Sequence, residues 1–158
     1  MSNGTPITPR GLAKLHEQLQ HLREVERPKN VRDIEEARAH GDLRENAESH
    51  AAKERQAMIA GTMQMLETSI ATATVIDPKT LSGSRVVFGA TVTVTDVDTE
   101  QEFVYQIVGD PEADLKQGLI SISSPIARSL IGREAGDEIA ATMPGGKRTF
   151  AIEKVEFK

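Results

Sequence analysis

The sequence predicts an α+β protein whose helical half precedes a sheet half. Residues 1–77 carry apolar side chains at the three- and four-residue steps of an antiparallel coiled-coil helical hairpin. Over residues 78–158 the apolar period is two, which is typical of a small, mostly antiparallel β domain. All the aromatic residues lie in this second half. The two halves are therefore predicted to be separate domains with different cores.

The first predicted helix begins after Thr8, because a hydroxyl cap followed by Pro9 at the first helical position favours a helix start. Its coiled-coil seam consists of Leu12, Leu15, Leu19 and Leu22. Pro28 interrupts the seam, so we expect a bend or break at residues 26–29. The helical pattern stops at Gly41, which favours a left-handed helix end.

A second arm follows after a very short turn and is expected to end at Asp77-Pro78. Its seam positions are Ile59, Met63, Leu66, Ile70 and Ala73. Two such arms joined by a short turn fold back antiparallel, because no other arrangement buries both seams. Alanines replace the large seam residues near the turn, so the tip at residues 41–48 is expected to be slender and polar.

Alternating apolar residues predict the strands of the second half. These strands are expected at residues 86–94, 103–108, 119–122, 139–143 and 149–157. Polar turns at residues 96–100 and 144–147 separate the first two and the last two strands. A short helix is predicted at residues 125–131, with Ser124 as its cap and Gly132 as its stop.

Composition and charge exclude several classes of function. The net charge of −5 argues against a broad grip on free DNA or RNA, which depends on clustered Lys and Arg. The absence of Cys excludes disulfides, zinc ribbons and thiol nucleophiles. A helix needs about 18 consecutive apolar residues to span a bilayer, and no apolar run in the sequence approaches that length. No stretch resembles a signal peptide. We therefore expect a cytoplasmic protein with no membrane partner.

Asp42 and Glu45 lie at the predicted tip, and their spacing has two interpretations. In one, they form a capping box, with Asp42 as the N-cap of the second helix and Glu45 at its third position. In the other, both carboxylates share a hard cation such as Mg²⁺. Two carboxylates cannot complete an octahedron, so such a site stays weak until other oxygen ligands join it. The two interpretations do not exclude each other.

Four basic residues lie within a few helical turns of the tip, namely Arg38, Arg44, Lys53 and Arg55. They are either solvated partners of nearby glutamates or a local patch that steers a phosphate backbone toward the acids. The four histidines show no metal-ligand spacing, and Gly145-Gly146-Lys147 lacks the earlier glycine of a phosphate-binding loop. As an isolated catalyst the chain is poorly equipped.

Several stretches resemble the motifs of bacterial Gre transcript-cleavage factors, and the A-type branch looks most similar. These stretches are residues 36–48, 87–92, 107–110, 123–128 and 144–146, in the right order and spacing. The resemblance implies a transcription elongation factor that is not itself an enzyme. Its second domain should be similar in fold to FK506-binding proteins. That domain should dock on the rim of the RNA polymerase secondary channel through Ser123, Ser124, Pro125 and Ile126.

The resemblance also implies that the hairpin enters the channel of a backtracked polymerase. There Asp42 and Glu45 would help to hold a second Mg²⁺, which is shared with the polymerase active site, and would orient the attacking water. The four basic residues would lie near the extruded 3′ end of the RNA. No metal or cofactor is expected to stay bound to the chain alone, and we expect a monomer.

One departure from the family pattern bears on cleavage strength. The family usually carries an aromatic residue directly after Glu48, whereas this chain has Ser49. A non-cleaving factor that occludes the same channel is therefore an alternative, although both tip acids are retained. A peptidyl-prolyl isomerase is disfavoured, because the few aromatics lie at core strand positions. A pure coiled-coil adaptor would explain neither the polar tip nor the motifs of the second half.

Overall fold

A computed structural model describes residues 4–40 and 43–158, with only the backbone at residues 40 and 43–46. The chain divides into two compact units. One comprises Ala13–Thr72, and the other joins the segment up to Leu12 to Ala73–Lys158. Helices make up the first unit and a mostly antiparallel sheet dominates the second, so the predicted α+β class is confirmed.

The Ala13–Thr72 unit is a helical hairpin. Its segments are α1 (Pro9–His21), a π-helical segment (Leu22–Glu26), α2 (Arg27–His40) and α3 (Leu43–Ala71). Side-chain pairs run in opposite order along the two arms. Arg23 lies 3.5 Å from Glu67, and Glu26 lies 3.1 Å from Arg55. The predicted antiparallel hairpin is therefore confirmed.

The first helix starts where the sequence predicts, at Pro9. The N–H of Gly11 donates to the Thr8 hydroxyl oxygen at 3.1 Å, which satisfies one of the N–H groups that a helix start leaves unpaired. Thr8 itself is buried, with 5% of its surface exposed. The predicted hydroxyl cap is therefore confirmed as the start of α1.

Of the bend or break predicted at residues 26–29, the break is wrong, because the chain stays helical through Pro28. Proline has no N–H for the carbonyl of Glu24, four residues earlier, and its ring crowds that carbonyl. The backbone widens into the π-helical segment Leu22–Glu26, where the N–H of Arg27 donates to the Leu22 carbonyl. Arg27 keeps right-handed helical angles (φ −64°, ψ −47°). The wider π-helical turn thus accommodates the missing N–H and the bulk of Pro28, and the chain stays helical through the proline.

Buried apolar side chains line the inside of the hairpin, and Asn30 lies among them. The buried residues of this unit are Leu15, Leu19, Ile34, Ala37, Ala52, Ile59, Met63 and Leu66. Asn30 is 1% exposed, and its Nδ2 donates to the carbonyl oxygen of Ala52 across the hairpin at 2.9 Å. Burying an amide without a hydrogen-bond partner is unfavourable, and Ala52 lies opposite Asn30 in this register of the two arms. The Asn30–Ala52 pair therefore favours this register.

The second arm ends earlier than predicted, at Ala71 instead of Asp77. Ala73 therefore does not belong to the helical seam. It begins β2 (Ala73–Val75), which pairs in parallel with β1 (Thr5–Ile7). The residues after Ala71 are rich in β-branched side chains, which favour strands. A three-residue strand is too short to show a period of two, so the sequence pattern missed this small sheet.

The larger sheet has five strands in the order β5-β4-β3-β7-β6. They are β3 (Thr91–Asp96), β4 (Glu102–Val108), β5 (Leu119–Ser121), β6 (Glu138–Met143) and β7 (Gly146–Glu156). Neighbours pair antiparallel except β4 and β5, which are parallel. Phe103 stacks on Tyr105 and meets Phe150 edge-on, with ring centroids 5.8 and 6.0 Å apart. The aromatics thus belong to the sheet core, as the sequence predicts.

The first predicted strand is too long, because β3 begins at Thr91 and not at residue 86. Gly89 has a φ of +89°, and the N–H of Ala90 donates to the Val87 carbonyl at 3.0 Å, so the chain turns there. Val86 is fully buried. The buried residues before this turn are apolar because they belong to the core, and their apolar character resembles that of a strand.

The other predicted elements of this half are confirmed within a few residues. The helix α4 spans Pro125–Leu130, and its start is capped by the Ser124 hydroxyl, which accepts from the N–H of Ala127 at 3.3 Å. Gly132, with a φ of +87°, follows the helix end. The last hairpin turns through residues 144–145, and β7 already begins at Gly146.

Candidate functional site

The tip of the hairpin is the first candidate site. Asp42 lies outside the described residues, and so do the side chains of Arg44 and Glu45. The described backbone ends α2 at His40 and begins α3 at Leu43, which makes Glu45 the third residue of α3. A carboxylate in the first turn interacts favourably with the helix dipole. This backbone position is compatible with the capping box and with a shared cation alike.

Two of the predicted basic residues, Arg38 on α2 and Lys53 on α3, line one surface cleft of the hairpin. The cleft has a volume of about 220 Å³ and is also lined by Glu35 and Gln56. Both cations are exposed, and neither forms an ion pair with the side chains that the structure describes. Their charges are therefore available to an anionic partner.

Arg55 has a different environment. Its guanidinium Nη2 lies 3.1 Å from Glu26 Oε2, so the two charges offset each other. About half of the Arg55 side chain is exposed, and exposed pairs of this kind contribute little to stability. Among the described side chains near the tip, Arg38 and Lys53 thus carry unpaired positive charge, whereas the charge of Arg55 is partly neutralised.

The second candidate site is the loop that leads into α4. Ser123 and Pro125 are exposed there, and Ser124 is half-buried because its hydroxyl caps the helix. Ile126 is only 5% exposed and belongs to the hydrophobic core of the sheet unit. The family resemblance grouped these four residues as a docking site, but of the four only Ser123 and Pro125 present substantial surface to a partner.

A carboxylate that was not predicted as a site residue completes this loop. Asp110 Oδ1 accepts hydrogen bonds from the hydroxyls of Ser121 and Ser123, the second at 2.7 Å. These bonds, chiefly the one from Ser121, lower the pKa of Asp110 below its usual value. Asp110 and Ser123 belong to two separate stretches that resemble the family, residues 107–110 and 123–128. A single sequence does not show that Asp110 and Ser123 are in contact, so it could not identify Asp110 as part of this loop.

The described residues contain no cluster of three or more His, Asp or Glu side chains that could hold a metal ion. In the same part of the chain, no helix is long and apolar enough to cross a membrane. The side chains of Asp42 and Glu45 are not among these described residues.

Both halves of the chain match one protein family. Residues 5–75 match the family model described as "Transcription elongation factor, N-terminal", and residues 81–157 match "Transcription elongation factor, GreA/GreB, C-term". The chain belongs to the GreA/GreB family of transcription elongation factors. It is 56% identical over 152 residues to the transcription elongation factor GreA of Brucella canis, which covers 96% of this chain and 97% of that protein.

Solved structures of the GreA/GreB family and its homologues align over nearly the whole chain. GreA factor homolog 1 of Thermus thermophilus shares 25% identity and covers 98% of this chain and 99% of its own, with a TM-score of 0.46. The GreA/GreB factor of Nitrosomonas europaea shares 21% identity over 98% of this chain and 99% of its own, with a TM-score of 0.43.

Proposed function

We propose that this elongation factor stimulates endonucleolytic cleavage of the transcript in backtracked, arrested RNA polymerase, so that elongation can resume. The observation that carries the proposal is that the chain joins the family's two halves to the acid pair Asp42 and Glu45, which lies in the sequence where α2 ends and α3 begins. A non-cleaving occluder of the polymerase channel needs these two carboxylates at most as helix caps, whereas a cleaving factor also uses them as Mg²⁺ ligands. The cleaving function is therefore favoured.

The chemistry belongs to the polymerase, and the factor supplies ligands in trans. Two carboxylates alone bind Mg²⁺ weakly, because the ion needs six oxygen ligands in near-octahedral geometry. Inside the polymerase channel the active site and the RNA phosphate would complete the set. There Asp42 and Glu45 would help to hold the second ion, and the two ions would supply the chemistry of a two-metal hydrolysis, with the acids orienting the attacking water. The chain is thus an activator and not an enzyme.

The basic residues of the hairpin assist by contacting the extruded 3′ RNA. Arg38 and Lys53 are the strongest candidates, because both are exposed on one cleft and lack carboxylate partners among the described side chains. Arg44 lies next to the acid pair in sequence and would act with them. Arg55 contributes less, since Glu26 already offsets its charge.

The sheet unit holds the factor on the rim of the secondary channel of RNA polymerase. The factor acts there as a monomer, in the cytoplasm. Ser123 and Pro125 offer the contact surface, Ser124 fixes the start of α4, and Ile126 anchors that helix in the core. This division of roles follows from burial, because a side chain that is 5% exposed cannot make an extensive contact with a partner. The similarity of this unit to FK506-binding proteins is part of the same proposal.

The double variant Asp42→Asn with Glu45→Gln tests the cleavage mechanism. Asn and Gln can keep a capping box, so the hairpin should fold and polymerase binding should persist. Neutral amides are much poorer Mg²⁺ ligands than carboxylates, so cleavage of a backtracked complex should collapse. Asp33→Asn with Glu36→Gln is the matched control, because these exposed acids have the same spacing on α2. Cleavage near the unmodified level in the tip variant would show that the acids are only caps.

A further inference from the structure

The loop before α4 is held by a chain of hydrogen bonds that begins at Asp110. The carboxylate Oδ1 accepts from both serine hydroxyls, and the two hydroxyl oxygens of Ser121 and Ser123 lie 2.9 Å apart. The N–H of Ser123 also donates to the Ser121 hydroxyl oxygen at 3.1 Å. One carboxylate oxygen therefore fixes two side chains and, through them, the backbone of residues 121–123.

The same chain of hydrogen bonds continues into the helix. The Ser124 hydroxyl donates to the carbonyl oxygen of Ser121 at 2.7 Å and accepts from the N–H of Ala127 at 3.3 Å. Ser124 thus links the fixed turn to the first turn of α4, in which Pro125 is exposed. The position of this exposed surface depends on contacts that start at Asp110.

We infer that Asp110 is a positioning residue for polymerase docking, which holds residues 121–124 in the shape that presents Ser123 and Pro125 to the partner. The inference rests on the proposed docking function of this loop. Asp110 acts through the serines and need not touch the polymerase itself. Its surface exposure leaves the other carboxylate oxygen in reach of solvent, so a direct contact with a basic group of the partner is the competing outcome.

The two outcomes differ in what an amide can replace. In Asp110→Asn the side-chain carbonyl oxygen can still accept from both hydroxyls, although without the strength that the charge adds. In Asp110→Ala both acceptors are lost. A positioning role predicts a large effect for Ala and a small one for Asn. A direct charge contact predicts equal effects for both substitutions.

The test uses the full chain in cleavage assays on a backtracked elongation complex, with the factor titrated. Asp110→Ala should raise the factor concentration at half-maximal cleavage about three- to tenfold, as expected for loss of an exposed charge-assisted network. The cleavage rate at saturation should not change, because the tip is intact. Asp110→Asn should recover most of the affinity. The matched control, Asp98→Ala in the turn between β3 and β4, should leave both quantities unchanged.

A double-mutant cycle adds a readout that general destabilisation would not reproduce. The pair Ser121→Ala with Ser123→Ala should weaken docking at least as much as Asp110→Ala, because Ser123 also belongs to the contact surface. Adding Asp110→Ala to that pair should weaken docking no further. Full additivity, or equal losses for the Asn and Ala variants, would overturn the inference. Melting temperatures within a few degrees of the parent establish that each variant is folded.

The variant Pro125→Ala distinguishes a failure of the positioning role of Asp110 from a failure of the docking proposal on which that role rests. If Pro125→Ala weakens polymerase binding and Asp110→Ala does not, docking stands and the positioning role is wrong. If neither substitution changes binding in direct competition with the unmodified chain, the loop is not the docking surface, and both statements fall. Weakening by both, with rescue by Asn at position 110, supports both.

Discussion

Thr8 and Glu112 are 104 positions apart in the chain and are joined by two buried hydrogen bonds. The N–H of Thr8 donates to Glu112 Oε2 at 2.9 Å, and the Thr8 hydroxyl donates to Oε1. The N–H of Gly109 donates to the same Oε2 at 2.8 Å. One carboxylate thereby satisfies two backbone N–H groups at the start of α1 and in the turn after β4. Thr8 and Glu112 both belong to the sheet unit, and these bonds link the segment before α1 to the turn after β4 within it.

Replacing Glu112 with Ala should destabilise the protein by about 2–3 kcal/mol, because two buried N–H groups lose their acceptor. Glu112→Gln should cost about 1 kcal/mol, since the amide oxygen can keep the N–H donors and only the charge is lost. Urea unfolding measures both values. The control is Glu153→Ala at an exposed position of β7, where the change should stay within about 0.5 kcal/mol. A Glu112→Ala cost no larger than the control would contradict the role assigned to the carboxylate.

Two helical glycines should respond in opposite directions to alanine. A Cβ on Gly11 would lie 2.1 Å from Glu112 Cδ, whereas a Cβ on Gly61 would meet nothing within 4 Å. Gly61→Ala should therefore stabilise α3 by about 0.5–1 kcal/mol, through the lower conformational entropy of alanine in the unfolded chain. Gly11→Ala should destabilise by about 1–3 kcal/mol, because it displaces the buried carboxylate. Urea unfolding of both variants checks the signs, and stabilisation at both positions would contradict the crowding at Gly11.

The stability contribution of Asp110 should depend on pH. The bonds from Ser121 and then Ser123 lower its pKa in the folded state below the usual 3.8. A depressed carboxyl pKa stabilises the folded state above the unfolded value, and this stabilisation is lost as the pH falls through the folded value. The parent should therefore exceed Asp110→Asn in unfolding free energy at pH 7, and the gap should shrink below about pH 4. A gap that is constant between pH 7 and pH 3 would argue against these bonds.

Much of the architecture follows from local sequence signals. Thr8-Pro9 predicts the first helix start, and Ser124 with Gly132 predicts the limits of α4. Both coiled-coil arms and most strands follow from their periods of about 3.5 and two residues. These features depend on neighbours within one or two turns, so a single sequence contains the information that decides them.

The remaining features depend on contacts between distant residues. The small sheet pairs β1, which precedes the hairpin in the sequence, with β2, which follows it, and three residues are too few to show a period. Glu112 reads as a surface residue until Thr8 is placed beside it. Asp110 likewise gains its role only when β4 and β5 lie in parallel and bring Ser121 close. For the tip, the chemistry comes from family resemblance, since the spacing of Asp42 and Glu45 fits a helix cap equally well.

Ser49 stands at the position where the family resemblance leads us to expect an aromatic residue. Ser49 is half-buried on α3, and Lys53 lies four residues later on the same helix face. A tyrosine at this position would add a ring that can pack at the tip or stack on RNA, which is typically worth about 1 kcal/mol. Ser49→Tyr should therefore raise the saturated rate of transcript cleavage by several-fold at most, because a tenfold change needs about 1.4 kcal/mol. His50→Tyr places a ring at the adjacent exposed position and should leave the rate unchanged. An unchanged or lower rate in Ser49→Tyr would mean that this tip works without the aromatic and that serine is no handicap.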